Sequence, residues 1–181
     1  MYASRLMNFI LTDSMMLQIE ACKDLSVTCW KCLVRAEKIA IELRSPKVEL
    51  IHVLFALCMD SWTPSYHCMS HFGINAKSIL RSHSLLSKRV RNPSGKEFGE
   101  PIINMDVDLD LSSEVIAMLF VARELATGQD SRYVGTEHVL VAIADTPLRH
   151  RFRSLKKLNS NRNDLLSFIH QLGFGSVSVD Q

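Results

Sequence analysis

The sequence predicts an all-α fold, two four-helix repeats related by a pseudo-twofold, and three observations predict it. Apolar residues recur at helical spacing through several segments, no stretch reads as a strong strand, and one unit occurs twice at a constant offset of 86 residues, with His138 standing against His52. Under that offset Val139, Leu140, Ala142 and Ile143 fall on Val53, Leu54, Ala56 and Leu57. Upstream, Leu111, Ser112, Leu119, Ala122 and Ala126 fall on Leu25, Ser26, Leu33, Ala36 and Ala40. Downstream, Leu155, Leu158, Asn161, Leu165 and Leu166 fall on Met69, Phe72, Asn75, Ile79 and Leu80. The period is too long for a solenoid and there are only two copies, so the repeat reads as two halves of one domain.

The elements follow in order. Residues 1–24 form an extension with no counterpart before the second copy, and Ser14 to Lys23 can make a helix there. Repeat 1 occupies residues 25–87. Ser26 is placed as an N-cap, and Cys29, Cys32, Leu33, Ala36, Ile39, Ala40 and Leu43 give the apolar stripe of an amphipathic helix. Ser45-Pro46 ends that helix and is placed to cap the next, Leu50 to Met59, which is apolar all round. Thr63-Pro64 starts a third helix running through Phe72. Gly73 closes it, Asn75 caps a fourth, and Ile79, Leu80 and Leu85 give the fourth its inner face. Residues 88–110 are a linker, with turn chemistry from Arg91 to Lys96 and alternating Asp106, Asp108 and Asp110. Repeat 2, residues 111–173, runs Ser112–Thr127, Thr136–Asp145, a helix from Thr146-Pro147, and Asn161–Leu172; residues 174–181 are a tail. Thr146-Pro147 lies 83 rather than 86 positions past Thr63-Pro64, so a local length change falls there.

The most informative stretch is Tyr133 to Ile143. Gly135 permits a turn, Thr136 is the candidate N-cap, and Glu137 stands in the first turn, where the helix dipole favours a carboxylate. The residues that follow are too apolar for an exposed helix.

Composition excludes several functions. The 47% hydrophobic fraction over 181 residues is enough for one domain to bury its own core. A net charge of +2 gives no strong draw to nucleic acid or to an anionic membrane. Lys88-Arg89-Val90-Arg91 has no aromatic interleaving and reads as a solvated linker. No apolar run approaches the ~18 residues of a membrane span. The first 17 residues are interrupted by Asn8, Thr12 and Asp13 and make a poor signal peptide. Five cysteines, an odd number in apolar company, suit a reducing compartment, and a cytoplasmic location is expected.

Three clusters invite chemistry. Cys29-Trp30-Lys31-Cys32 has redox spacing, but both cysteines occupy the buried stripe, matched by Val115 and Met118, and core packing is the preferred reading. His67 and His71 share a helical face as half a zinc site, with Cys68 adjacent and Cys58 able to come near in space, but no residue stands at an obvious complementing position; a solvent-facing helix is preferred. His52 and His138 are the one titratable pair kept by the repeat, expected to donate to a backbone carbonyl or pack at a seam. No nucleophile–base pattern accompanies them. Ser94-Gly95-Lys96-Glu97 lacks the leading glycine of a phosphate loop. No catalytic residue, metal or cofactor is expected.

The stretch Tyr133-Val134-Gly135-Thr136-Glu137-His138-Val139-Leu140-Val141-Ala142-Ile143, following a capped amphipathic helix, resembles the repeat of the N-terminal domain of Clp-type unfoldases. Val48 to Leu57 is an eroded copy that keeps the histidine and the apolar tail, and Phe72-Gly73-Ile74-Asn75 resembles the family's turn before its fourth helix. The resemblance covers residues 25 to 172. It implies a module that receives substrates and adaptor proteins ahead of an ATPase ring, and some members bind phosphorylated arginine. Free-standing relatives accompany Clp proteases as accessory subunits. The chain has no Walker motif, so it is expected to be either such a free-standing protein or an N-terminal fragment of a larger ATPase; the Met1 start and the extra 24 residues favour the former. The resemblance also implies a phosphoarginine or peptide site at Ser112, Thr136 and Glu137 in repeat 2, and a degenerate one at Ser26 and Ile51 in repeat 1. Isoleucine cannot pair a guanidinium as a carboxylate does. For Glu137, merely complementing its helix dipole is the competing reading.

The expectation is therefore a non-catalytic protein- or peptide-recognition module working with Clp ATPase or protease components, adaptors or substrate polypeptides, without nucleic acid or membrane. The rivals are a regulatory mimic of the N-domain, which docks on the protease or competes for adaptors, and a redox or metal-dependent enzyme.

Overall fold

The structure, a computed structural model, describes residues 15–82, 109–145 and 162–172. Among these, residues 15–21 form helix α1. Repeat 1 supplies α2 (Val27–Glu42), α3 (Leu50–Leu57), α4 (Pro64–His71) and α5 (Ala76–Ser82). Repeat 2 supplies α6 (Ser113–Gly128), α7 (Thr136–Asp145) and α8 (Arg162–Gln171). The architecture is all-α; the backbone otherwise makes only isolated bridges among the described residues. The linker sequence before Leu109 and the helix expected from Thr146-Pro147 lie outside the described residues.

Amphipathic spacing gives the outer helices and uniform apolarity the central ones. All seven stripe residues expected on α2, Cys29 through Leu43, are buried. Ser26 caps that helix, its Oγ accepting from Cys29 N at 3.1 Å. Ser112 caps α6 in the same way, accepting from Val115 N at 3.3 Å. Every residue of α3 is buried, and on α7 everything from Thr136 to Ala144 except Glu137. These two central helices pack against each other, α2 on α3 and α6 on α7, so the core forms around the α3–α7 pair. Helix α7 also meets α2, α4 and α8.

The two halves repeat each other down to single hydrogen bonds. Leu25 bridges Val134 and, 86 positions on, Leu111 bridges Val48, both parallel. Ser26 N donates to Val134 O at 2.9 Å and Val134 N to Asp24 O at 2.8 Å. In the mirror bridge Ser112 N donates to Val48 O at 3.0 Å and Val48 N to Asp110 O at 2.8 Å. The segment before the first helix of each half thus pairs with the segment before the second helix of the other.

Helix ends match too. Arg44 (φ 55°) and Asp130 (φ 51°) sit in the left-handed region just past α2 and α6. Ser45 N reaches back to Ala40 O and Ser131 N to Ala126 O, each at 2.9 Å. This is the Schellman closure, satisfying carbonyls the helix leaves unpaired. Gly73 (φ 67°) closes α4 the same way, with Ile74 N on Met69 O at 2.7 Å. Two expectations are corrected. Ser45-Pro46 does not cap α3: Ser45 Oγ turns to Lys47 O at 2.8 Å, and the helix starts after Glu49 because the Val48 bridge holds the chain extended until then. Helix α3 also ends at Leu57, before Met59, where the last amides tighten to i−3 partners.

A residue with a side chain is strained at positive φ, and glycine is not. Arg44→Gly is therefore expected to stabilise the protein by roughly 0.5–1 kcal/mol, and Gly73→Ala to destabilise it by roughly 1 kcal/mol. Urea denaturation of the two variants checks both signs.

Candidate functional site

The preserved histidines cap their own helices. His52 Nδ1 accepts from Glu49 N at 2.9 Å, and His138 Nδ1 accepts from Gly135 N at 2.9 Å. Each imidazole takes the N3 place of a capping box, reaching back to the amide of the residue before the helix. An orphan amide at a buried helix start needs an acceptor, and Nδ1 supplies one. Since Nδ1 accepts, the proton is on Nε2, which in His138 donates to Gln129 Oε1 at 3.0 Å.

Thr136 is the first helical residue of α7 rather than its cap. Gly135 stands before the helix, as Glu49 stands before α3, and its carbonyl accepts from Val139 N. Thr136 is fully buried. Glu137 stands second in the helix, with its side chain 12% exposed. Burial pushes its carboxyl above the ordinary carboxylate value, opposed by its own backbone amide and by the nearby Thr136 hydroxyl. Glu137 Oε1 lies 3.4 Å from His138 Nδ1. That approach is not an ion pair, because the Nδ1 lone pair is engaged by Gly135 N–H and burial lowers the affinity of His138 for a second proton.

The cross-bridges decide which cap lies by which turn. Ser26 is joined through its amide to Val134, immediately before Gly135, whereas Ser112 is joined to Val48, immediately before Glu49. The start of α2, in repeat 1, therefore lies against the turn that leads to Thr136 and Glu137. The negative charge of Glu137 is felt by Cys29 on the first turn of α2 and by Cys68 on α4. The start of α6 lies against the turn leading to Ile51, which is 3% exposed and part of the core. The resemblance groups Ser112 with Glu137; the backbone pairing also brings the start of α2, with Ser26, to that turn. The signal was available in the repeat, but pairing across halves is a tertiary fact.

The other clusters resolve as follows. Cys29 and Cys32 are buried free thiols, with Cys32 pushed up to about 12 by burial, far from a reactive thiolate. His67 and His71 are exposed, and His71 stacks on Phe168 of α8 at 4.1 Å. Among the described residues no group of three or more candidate ligands could hold a metal ion, and no helix is long and apolar enough to cross a membrane. A cavity of about 190 Å³ lies at the α1–α2 turn, lined by Cys22, Asp24, Leu25 and Trp30.

The family model of the Clp repeat (R) N-terminal domain matches residues 24–158. No match is found among curated proteins. Among solved structures, the N-terminal domain of the chaperone ClpD from Arabidopsis thaliana is 19% identical, with a TM-score of 0.57 over 83% of this chain and 98% of that one. The N-domain of ClpV from Vibrio cholerae is 17% identical, with a TM-score of 0.61 over 88% of this chain and 91% of that one. A complex of the ClpV N-domain with a VipB peptide is 15% identical, with a TM-score of 0.54 over 82% of this chain and 91% of that one.

His138 is held neutral in the fold, its pKa lowered by burial. A lowered histidine contributes stability that is full above its unfolded value of about 6.5 and fades as pH falls below it. Glu137, with a raised pKa, acts in the opposite sense, because protonation relieves its buried charge. His138→Gln is therefore expected to flatten the loss of stability between about pH 7 and pH 5. Glu137→Gln is expected to steepen it. Melting temperatures across that range check both.

Proposed function

The chain belongs to the Clp repeat N-terminal domain family, and from that premise we propose that it is a non-catalytic recognition module that holds polypeptides. Its partners in this reading are adaptor proteins, substrates, or the ATPase and protease components of a cytoplasmic Clp system. The observation that carries it is the turn at Gly135–Glu137. A carboxylate stands at the N-terminus of α7 beside the capped start of α2, at a seam between the two halves.

That arrangement suits an arginine side chain, phosphorylated or not. Glu137 offers two oxygens to a guanidinium. The Ser26 and Thr136 hydroxyls and the amides at two helix starts favour phosphoryl oxygens. Thr136 contributes a buried hydroxyl beside the Glu137 carboxyl. Ser112 caps α6 beside the Val48 turn, where Ile51 stands in the place of Glu137, so this reading gives one arginine site per chain. The cavity lined by Leu25 and Trp30 is a second place for an apolar side chain of the same polypeptide.

A second reading, the regulatory mimic of an N-domain, draws on the same asymmetry. A protein with one arm of a paired site gone can occupy a docking surface without passing substrate on.

Titration of a phosphoarginine peptide is expected to show binding to the wild type and at least tenfold weaker binding to Glu137→Ala, a loss of about 1.4 kcal/mol or more. Ile51→Ala is expected to leave the affinity within about twofold. Equal binding by wild type and Glu137→Ala, or none by either, removes the arginine site. Pull-down with a Clp ATPase, its adaptors and the peptidase divides recognition from mimicry: retention of substrate or adaptor supports the first, and retention of the protease components alone the second.

A further inference from the structure

Gly135 is not required by its backbone. Its φ lies outside the left-handed region, and its counterpart Glu49 takes φ −102° and ψ 164°, extended values that any residue adopts. What occupies the space is the end of Glu137. A Cβ added at position 135 would collide with both carboxylate oxygens and Cδ of that side chain. The colliding group is the far end of a flexible side chain, so a substitution displaces the carboxylate and leaves the main chain where it is.

The first repeat supplies the control. There the two positions differ together: Glu49 replaces the glycine and is exposed, while Ile51 replaces the glutamate and is buried in the core. Without a carboxylate to fold back, the position before the helix tolerates a long side chain.

We propose that Gly135 is a positioning residue, whose missing Cβ lets the Glu137 carboxylate fold back over the start of α7, so that the free protein caps this helix with its own anion and a ligand must draw that anion out. This rests on the recognition role given to Glu137 above and adds how the carboxylate is held before a ligand arrives. The helix start favours a negative charge at this place. The low-polarity surroundings oppose it: Cys29 from α2 and Cys68 from α4 are thiols sensitive to the same charge, and His138 beside it is neutral. A stowed state balanced in this way yields to a ligand that brings its own anion and a cation for Glu137.

The test is an NMR titration of the Glu137 carboxyl in the full chain, wild type against Gly135→Ala, with circular dichroism as the control for folding. The midpoint is expected to be high in the wild type and to fall towards the ordinary carboxylate range in Gly135→Ala. Glu137→Asp, one methylene too short to fold back over position 135, is expected to titrate in the ordinary aspartate range; it decides the matter if the alanine variant fails to fold. An unshifted midpoint in folded Gly135→Ala, or an elevated one for Asp at that position, overturns the proposal. With the carboxylate already displaced, a phosphoarginine peptide is expected to bind Gly135→Ala roughly three- to tenfold tighter than wild type, and weaker binding alongside a lowered midpoint overturns the drawing-out. A wild type with no affinity for the peptide ends the arginine reading, while the titration still decides what Gly135 does.

Discussion

The fold depends on two short backbone exchanges between its halves. Leu25 with Val134 and Leu111 with Val48 each contribute a pair of main-chain hydrogen bonds of 2.8 to 3.0 Å. Each bond is worth only about 1 kcal/mol net, but an amide left unpaired in these buried turns would cost more than that. Their leverage is geometric. By tying the residue before one helix to the residue before another, each bridge sets where α2 and α7, or α6 and α3, begin. The apolar helices α3 and α7 are then delivered side by side, where neither could stay exposed to water.

Because the exchange crosses between halves, a duplicated unit becomes one domain. A single copy would leave both partner segments unpaired and one face of its buried helix bare. The histidines belong to the same construction. Each lies three residues past the turn that the bridge has fixed, and each returns an acceptor to the amide there. A side chain that accepts at Nδ1 must stay neutral, which burial enforces for His138. The repeat thus kept His52 and His138 for a reason of helix initiation, one that calls for no catalytic partner.

Much of this was legible in the sequence. The stripe from Cys29 to Leu43, the caps at Ser26 and Ser112, the Thr63-Pro64 start, the Gly73 stop and the span Thr136–Asp145 follow from side-chain chemistry acting within a few residues. What was not legible is what depends on distant chain. Ser45-Pro46 carries the local marks of a helix start, and the Val48 bridge overrides them. Thr136 has the chemistry of a cap but lies inside the helix, because the Val134 bridge and the His138 acceptor place the boundary one residue earlier. That the backbone joins each cap to the turn of the other half is likewise a pairing between residues about a hundred or sixty positions apart.

The two turns also show how a duplicated scaffold can change a side chain at a helix start without losing its fold. Everything the bridge and the histidine require is main chain, plus one imidazole, and both halves retain it. The positions between are free to differ. At residue 51 an isoleucine gains apolar contact in the core, where a carboxylate would bear the cost of burial. At residue 137 the carboxylate stays and bears that cost, seen in its raised affinity for a proton. The two helix starts each keep one acid, placed differently: α3 has Glu49 in the capping position before it, and α7 has Glu137 in its first turn. Moving the acid from the exposed position before the helix to a half-buried one inside it is what the proposed arginine grip would offset.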